Sequence, residues 1–198
     1  MIRSENEAIK ILIITGSVRE NNYSTMVAKL IADELSKFET VENEIIDPRE
    51  LRLPFPGQKL ENNSVDFLQG KVKEATAVVL VTPEYNGTYS SILKLIIENL
   101  GFPSVMAGKP VTLVGLASGS IGAIKSLEHL RSTSAHVGAI VLPKVASIPT
   151  VEKCFDKNGN CTNEKVERRI RLAAKNLIQF IHDHIQDIPS MEQIARQS

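Results

Sequence analysis

The sequence predicts an α/β domain in which helices cover both faces of a parallel β-sheet. Five short hydrophobic segments alternate along the chain with segments whose apolar residues recur at helical spacing. The first hydrophobic segment, IKILIIT, is an unbroken run rich in β-branched residues, which is typical of a strand buried on both faces. Alternation of such strands with helices is the pattern of parallel α/β sheets.

The five predicted strands cover residues 9–15, 41–47, 77–82, 111–118 and 139–145. The second strand alternates apolar and polar residues, so we expect it to be the most exposed. Because crossovers between parallel strands are right-handed, few topologies remain. The most plausible of these is a flavodoxin-like three-layer fold, with a five-stranded parallel sheet of order 2-1-3-4-5.

The predicted helices cover residues 24–38, 65–75, 91–100, 122–137 and 162–185. The first has Met26, Val27, Leu30, Ile31 and Leu35 on one face, and the second is weakened by a central glycine. No linker, repeat or low-complexity segment divides the chain. We therefore expect one domain over residues 1–198, with a loosely ordered tail after about residue 189.

Composition excludes several classes of protein. Lys and Arg number 23, as do Asp and Glu, so the formal net charge is zero, which argues against a nucleic-acid partner. No apolar run reaches the roughly 18 residues of a membrane span, and the N-terminus is a poor signal peptide. We therefore expect a cytoplasmic protein without a membrane partner. The two cysteines, Cys154 and Cys161, are expected to be free thiols, although a disulfide between them is conceivable.

Three loops follow strands at the edge of the sheet where ligands of such folds bind. They cover residues 16–25, 83–90 and 118–122, and all are rich in glycine and small polar residues. Ligands of open α/β sheets bind beyond the carboxyl ends of the strands. The sequence therefore predicts a binding site formed by these loops.

The first loop is suited to a phosphate group. The N-terminus of a helix attracts anions, because its backbone N–H groups are unpaired and its dipole end is positive. Ser17, Ser24 and Thr25 can donate hydroxyl hydrogen bonds, and Arg19 can add a charge-assisted contact. The alternative is a simple helix cap, with Ser24 or Thr25 capping and Arg19 solvated.

The other two loops are suited to a flat polar ring. Pro83 keeps the residue before it extended, and Tyr85 can line a planar ligand. Gly119 and Gly122 allow the backbone to approach a ligand closely. Plain turns would also explain both loops. A phosphate site and two ring-binding loops at one edge together indicate a phosphorylated aromatic cofactor.

The segments GSVRENNYSTMVAKLI, VTPEYNGTYSSILKLIIENL and SGSIGA resemble the NADPH-dependent FMN reductase family, which includes flavin, quinone, azo-dye and chromate reductases. The resemblance implies non-covalently bound FMN and NADPH, or NADH, as co-substrate. It implies three groups of site residues: Ser17, Arg19, Ser24, Thr25 and the Met26 backbone at the phosphate; Pro83, Glu84, Tyr85 and Asn86 along the ribityl chain and ring; and Ser118, Gly119 and Ser120 at the other ring edge. The spacer after Arg19 is longer than usual, so Asn22, Tyr23 and Ser24 all stay candidates for the phosphate.

The predicted function is therefore an FMN-dependent NAD(P)H oxidoreductase that reduces a flavin, quinone, azo compound or similar acceptor. FMN carries the redox chemistry, so no side chain is predicted to be catalytic. No metal site is predicted, because the histidines lack a partner set typical of zinc. The alternative function is a flavodoxin-type electron carrier. Neutral net charge and Arg19 favour the enzyme.

A homodimer or dimer of dimers is also predicted. The apolar residues of the third helix cover an arc of roughly 200°, wider than the roughly 100° that one sheet face needs. These residues are Ile92, Leu93, Leu95, Ile96, Ile97 and Leu100. We expect the surplus apolar surface to contact a second subunit, unless the chain's own loops bury it.

Overall fold

The computed structural model describes residues 8–186 and contains seven strands and five α-helices within them. The strands are β1 (Ile9–Thr15), β2 (Val41–Ile46), β3 (Ala77–Tyr85), β4 (Thr88–Tyr89), β5 (Pro110–Leu116), β6 (Ile140–Val141) and β7 (Ala146–Ile148). The helices are α1 (Tyr23–Leu35), α2 (Val65–Glu74), α3 (Ser91–Glu98), α4 (Ile124–His136) and α5 (Glu164–Ile181), which continues into a π-helical turn over His182–Gln186. The predicted loose tail lies outside the described residues.

The sheet confirms the α/β class and corrects the predicted strand arrangement. Its main path is β2-β1-β3-β5-β6, and every neighbouring pair on this path is parallel. β7 also pairs with β5 in parallel, and β4 pairs with β3 antiparallel. The sheet therefore has seven strands, and the prediction of five strands in the order 2-1-3-4-5 is wrong.

In place of the strand predicted over residues 139–145, the chain forms two short strands, β6 within that range and β7 directly after it, and both pair with β5. Pro143 lies between them in the sequence. Proline has no backbone N–H to donate to a sheet ladder, so a continuous strand over 139–145 is disfavoured. The chain leaves the ladder after Val141 and joins it again at Ala146.

Two hydrophobic clusters lie on opposite faces of the sheet. Ile11 and Ile13 of β1 belong to the cluster with α1 and α5, whereas Leu12 and Ile14 belong to the cluster with α2, α3 and α4. Successive residues of a strand point to opposite faces. The alternation confirms the prediction that β1 is buried on both sides.

The apolar arc of α3 is buried within the chain itself. Five of its six residues, Leu93, Leu95, Ile96, Ile97 and Leu100, are each at most 9% exposed, and Ile92 is partly buried. Met106, in the segment after the helix, is fully buried in the same cluster as most of them. The arc therefore leaves little surface for a second subunit, and the stated reason for expecting a dimer is wrong. Within residues 8–186 no helix is both long and apolar enough to cross a membrane.

Candidate functional site

The three predicted loops meet in a cleft of about 190 Å³ beyond the carboxyl ends of β1, β3 and β5. Its lining residues are Ser17, Arg19, Glu20, Asn21, Asn22, Tyr23, Ser24, Pro83, Glu84, Tyr85, Leu116, Ala117, Ser118 and Val151. Seven of the predicted site residues are therefore brought together: Ser17, Arg19, Ser24, Pro83, Glu84, Tyr85 and Ser118. The other five, Thr25, Met26, Asn86, Gly119 and Ser120, lie beside the cleft without lining it.

A second depression, of about 240 Å³, lies between α2 and the strands β1 and β2, away from these loops. Its walls carry charged side chains that include an ion pair between Lys71 Nζ and Glu44 Oε2 at 2.8 Å. None of the buried side-chain polar atoms that lack a partner in the described chain lies in its walls. The cleft between the loops is therefore the candidate ligand site.

The first loop leaves the sheet in close contact with β3. The backbone N–H of Gly16 donates to the carbonyl oxygen of Val81 at 2.7 Å. A Cβ atom at Gly16 would lie 2.9 Å from Ser90 Oγ and 3.0 Å from Val81 O. Only glycine allows this approach, which brings the following Ser17 to the cleft almost fully buried.

Asn22 caps the first turn of α1. Its Oδ1 accepts hydrogen bonds from the Thr25 backbone N–H at 2.9 Å and from the Thr25 hydroxyl at 3.2 Å. Its Nδ2 donates to the carbonyl oxygen of Arg19 at 2.7 Å. The cap is therefore Asn22 rather than Ser24 or Thr25, because its amide can bond both the helix and the preceding loop.

Ser24 is left with a buried hydroxyl that no group of the described chain satisfies. The residue is 1% exposed, and its Oγ lacks a hydrogen-bond partner. An unsatisfied buried polar group costs about 1–3 kcal/mol. Because Ser24 lines the cleft at the N-terminus of α1, a ligand with acceptor oxygens can bond this hydroxyl.

Arg19 lies at the mouth of the cleft. It also lines an adjoining depression of about 580 Å³, together with Glu84, Tyr85, Asn86, Thr88, Tyr89 and Ser91. Its guanidinium carbon is 4.9 Å from the centre of the Tyr85 ring, at cation–π distance. The arginine therefore stands between the two loops that were predicted to bind phosphate and ring.

The second loop is a β-hairpin, which sequence reasoning described only as a turn. β3 continues beyond its predicted end at Thr82 and pairs with β4 through Glu84–Tyr89 and Tyr85–Thr88. Asn86 and Gly87 connect the strands with φ values of 50° and 75°. An Asn-Gly pair is the typical sequence of such two-residue turns, so this signal was present in the sequence.

The third loop joins β5 to α4 and is fixed by its backbone. The carbonyl oxygen of Gly119 accepts from the N–H of Thr150 at 3.2 Å and from the N–H of Gly122 at 3.3 Å. Ser118 and Ser120 are both exposed, and of the two only Ser118 lines the cleft. At the far end of the loop, Glu84 Oε2 accepts from the backbone N–H of Ser126 at 3.0 Å.

One wall of the cleft comes from a segment that sequence reasoning did not associate with the site. Val151 lines the cleft, and the ring of Phe155 lies 6.1 Å from that of Tyr23 between centroids. Cys154 and Cys161 lie in the same segment, and both are free thiols. Local sequence holds no signal for this wall, because the contact joins positions more than 120 residues apart.

Fold and cleft together are typical of α/β proteins that bind a nucleotide-like ligand at the edge of a parallel sheet. The sequence profile of the NADPH-dependent FMN reductase family matches residues 9–153, and the chain therefore belongs to this family. This confirms the resemblance found in the three loops. It also confirms the prediction of an FMN- and NAD(P)H-dependent reductase.

Individual relatives agree with this assignment. An FMN-dependent NADPH-azoreductase of Staphylococcus aureus is 30% identical over 187 residues, which cover 88% of this chain and 96% of the relative. The flavoenzyme NAD(P)H:(acceptor) oxidoreductase FerB of Paracoccus denitrificans shares the fold with a TM-score of 0.74 at 20% identity, covering 89% of this chain and 99% of FerB. A flavodoxin from the domain Archaea has a TM-score of 0.60 at 11% identity, covering 87% of this chain and 99% of that one. The fold is therefore flavodoxin-like.

Proposed function

We propose that the cleft between the three loops holds FMN and that the protein uses NAD(P)H to reduce a flat, conjugated acceptor. The phosphate would lie at the N-terminus of α1, and the flavin ring would lie against the β3–β4 hairpin and Ser118. The observation that carries this proposal is the Ser24 hydroxyl, which is buried, faces no partner in the described chain and lines the cleft.

The residues of the first loop fit a phosphate group. Ser24 Oγ is free to donate, and the α1 N-terminus supplies a positive dipole end. Ser17 Oγ accepts from the Arg19 N–H at 3.4 Å, which leaves its own hydrogen free to donate. Arg19 is exposed and can turn from Tyr85 towards an anion. Asn22 already accepts hydrogen bonds from the backbone N–H groups of Thr25 and Met26. These two residues would therefore support the loop and not bond the phosphate.

The hairpin and the third loop fit a flat ring. Pro83 and Tyr85 present apolar surface to the cleft, and Ser118 adds a polar group at its other side. When bound, FMN supplies the two-electron and one-electron redox chemistry. The chain's own part is to hold the ring and to leave one face open to substrates, so we nominate no catalytic side chain. Asn86, Gly119 and Ser120 would shape the rim.

The acceptor is proposed from the relatives and from the cleft. The Staphylococcus aureus relative is named as an NADPH-azoreductase, which supports NADPH as donor and azo compounds among the acceptors. Quinones and free flavin share the flat conjugated shape. Steady-state NADPH and NADH oxidation with a panel of quinone, azo dye, flavin and ferricyanide would test this. Turnover with none of them would contradict the enzyme and favour an electron carrier.

A flavin titration tests the phosphate site directly. We expect wild-type protein to bind FMN more tightly than riboflavin, and Ser24→Ala to weaken FMN binding alone, by about 1.5–3 kcal/mol. Ser134→Ala is a matched control, because Ser134 in α4 is also buried and unpartnered but does not line the cleft. Equal wild-type affinities for FMN and riboflavin would contradict the proposed phosphate site.

We also propose a homodimer, or a dimer of dimers, and a cytoplasmic location. A second subunit would remove exposed apolar side chains such as Phe55, Phe102 and Ile121 from water, and burial of apolar surface favours association. The two free thiols fit a reducing compartment. Light scattering at micromolar concentration and cell fractionation test these proposals, and a monomeric mass would contradict the first.

A further inference from the structure

We propose that Glu84 is a positioning residue that holds two walls of the flavin cleft together by capping helix α4. Glu84 lies at the end of β3, next to Tyr85 in the hairpin that forms one wall. Its carboxylate bonds the first turn of α4, which follows the 118–123 loop, and this loop contributes Ser118 to the other side of the cleft. The inference rests on the proposed function, because it concerns how that cleft keeps its width.

The first turn of α4 lacks a cap of its own. The residue at the cap position is Ala123, whose side chain cannot accept a hydrogen bond. The first N–H groups of a helix have no partner within the helix, and a nearby acceptor oxygen stabilises them. Glu84 Oε2 accepts from the Ser126 N–H at 3.0 Å, and Ser147 Oγ accepts from the Ala123 N–H at 2.9 Å. Two other elements therefore supply the cap, and Glu84 brings a negative charge to the positive dipole end.

The hairpin contacts α4 along one face of the helix. Besides the bond between Glu84 and Ser126, Thr88 Oγ1 lies 3.1 Å from His129 Nδ1, and Tyr89 Oη lies 3.0 Å from Thr133 Oγ1. The three helix positions are spaced by three and four residues, which places them on the same side of an α-helix. The hairpin and α4 are thus joined at three polar contacts, of which only the Glu84 bond reaches the end nearest the cleft.

The 118–123 loop is fixed at both ends. The Thr150 N–H holds Gly119 at one end, and the cap formed by Glu84 holds the start of α4 at the other. Without the Glu84 carboxylate, the first turn of α4 would keep an unsatisfied donor, and the loop would lose its tie to the hairpin. The distance between Tyr85 and Ser118 across the cleft would then be free to vary. A flavin ring would bind less tightly, whereas the phosphate loop would be unchanged.

The test compares Glu84→Ala with Glu84→Gln, whose amide oxygen can still accept from Ser126. Glu128→Ala is the matched control, because Glu128 is an exposed acid of the same helix outside the cleft. Amide hydrogen exchange of the flavin-free proteins is measured over residues 118–126, and FMN and riboflavin are titrated into each. We expect exchange to rise in Glu84→Ala only. We also expect affinity for FMN and riboflavin to fall by the same factor, about 5- to 30-fold, with most of the loss absent in Glu84→Gln.

Each other result overturns the inference in a different way. Unchanged exchange in Glu84→Ala would show that the carboxylate does not hold the first turn of α4. If exchange is faster in Glu84→Ala but both flavins bind with wild-type affinity, Glu84 caps α4 without influencing ligand binding in the cleft. A loss confined to FMN would place Glu84 with the phosphate group. Wild-type protein that binds neither flavin would overturn the proposed function itself and this inference with it.

Discussion

The guanidinium of Arg19 lies above the ring of Tyr85, with 4.9 Å between its central carbon and the ring centre. This contact joins the first loop to the β3–β4 hairpin at the mouth of the cleft. An exposed cation–π contact is worth about 0.5–1 kcal/mol, whereas a hydrogen bond to a charged group contributes about 1.5–3 kcal/mol. A bound phosphate should therefore draw the arginine away from the tyrosine.

The first prediction follows from this difference. Arg19→Ala should weaken FMN binding by about 1.5–3 kcal/mol and leave riboflavin binding nearly unchanged. Isothermal titration with both flavins measures the effect. Arg168→Ala serves as the control, because Arg168 is an exposed arginine of α5 outside the cleft. An equal loss for both flavins would show that Arg19 acts through Tyr85 and the ring instead.

The second prediction concerns a buried carboxylate between α1 and α5. The Glu34 side chain is 4% exposed and contacts Lys37 at 2.6 Å, Arg171 at 3.0 Å and Lys175 at 3.1 Å. Burial by itself raises the pKa of Glu34, but the hydrogen bonds from these three cations outweigh it and lower the pKa from 4.5 to about 2. A lowered pKa means that the ionised carboxylate stabilises the folded state.

The stabilisation from Glu34 is complete above about pH 5 and is lost as the pH falls from 4.5 towards 2. We expect it to amount to about 1–3 kcal/mol, since Lys37 and Lys175 are more than half exposed and solvent screens them. Urea unfolding at pH 7 and pH 3 should show that Glu34→Gln is less stable at pH 7 and loses less on acidification. Glu39→Gln, at an exposed acid, should behave like the wild type. A wild-type pH dependence in Glu34→Gln would contradict the assignment.

The third prediction is that replacing two glycines by alanine changes the stability of the fold in opposite directions. Gly16→Ala should destabilise the fold by about 1–3 kcal/mol, because its Cβ would press on the Val81 carbonyl and the Ser90 hydroxyl. Gly70→Ala should stabilise it by about 0.5–1 kcal/mol, because Gly70 lies within α2 with nothing within 4 Å of the new Cβ. Both are measured by urea unfolding. If Gly16→Ala is as stable as the wild type, the close approach of the first loop to β3 is not present in solution.

The fourth prediction concerns the thiols. Cys154 is 2% exposed, and burial raises the pKa of its thiol. Cys161 is partly exposed, and its pKa is raised as well, again chiefly by burial. Since the thiolate is the reactive form, both should react slowly at neutral pH. A thiol reagent should modify Cys161 first and Cys154 only in denaturant, with two thiols titrated in the unfolded chain. An unmodified mass in denaturant without reductant, showing that neither thiol is free, would indicate a disulfide.

Local sequence was sufficient to predict much of the cleft lining. A strand followed by a small polar loop shows where a parallel sheet ends. This pattern predicted the place of Ser17, Arg19, Tyr85 and Ser118. The pair Asn86-Gly87 is also typical of a hairpin, although only a turn was predicted there. The capping residue was not found, because Asn22, Ser24 and Thr25 are all good caps and only their backbone geometry distinguishes them.

The sequence by itself determined the α/β class, the buried β1 and the position of the three loops, because these depend on periodicity and on turn chemistry between neighbouring residues. Only the tertiary structure decided what depends on distant packing. It shortened the last predicted strand to β6 and added β7 directly after it, buried the apolar arc of α3 and brought Val151 into the cleft. It also paired Glu84 with Ser126, 42 positions along the chain. No local pattern encodes such a pair, because the contact forms only when the sheet places the end of β3 beside the start of α4.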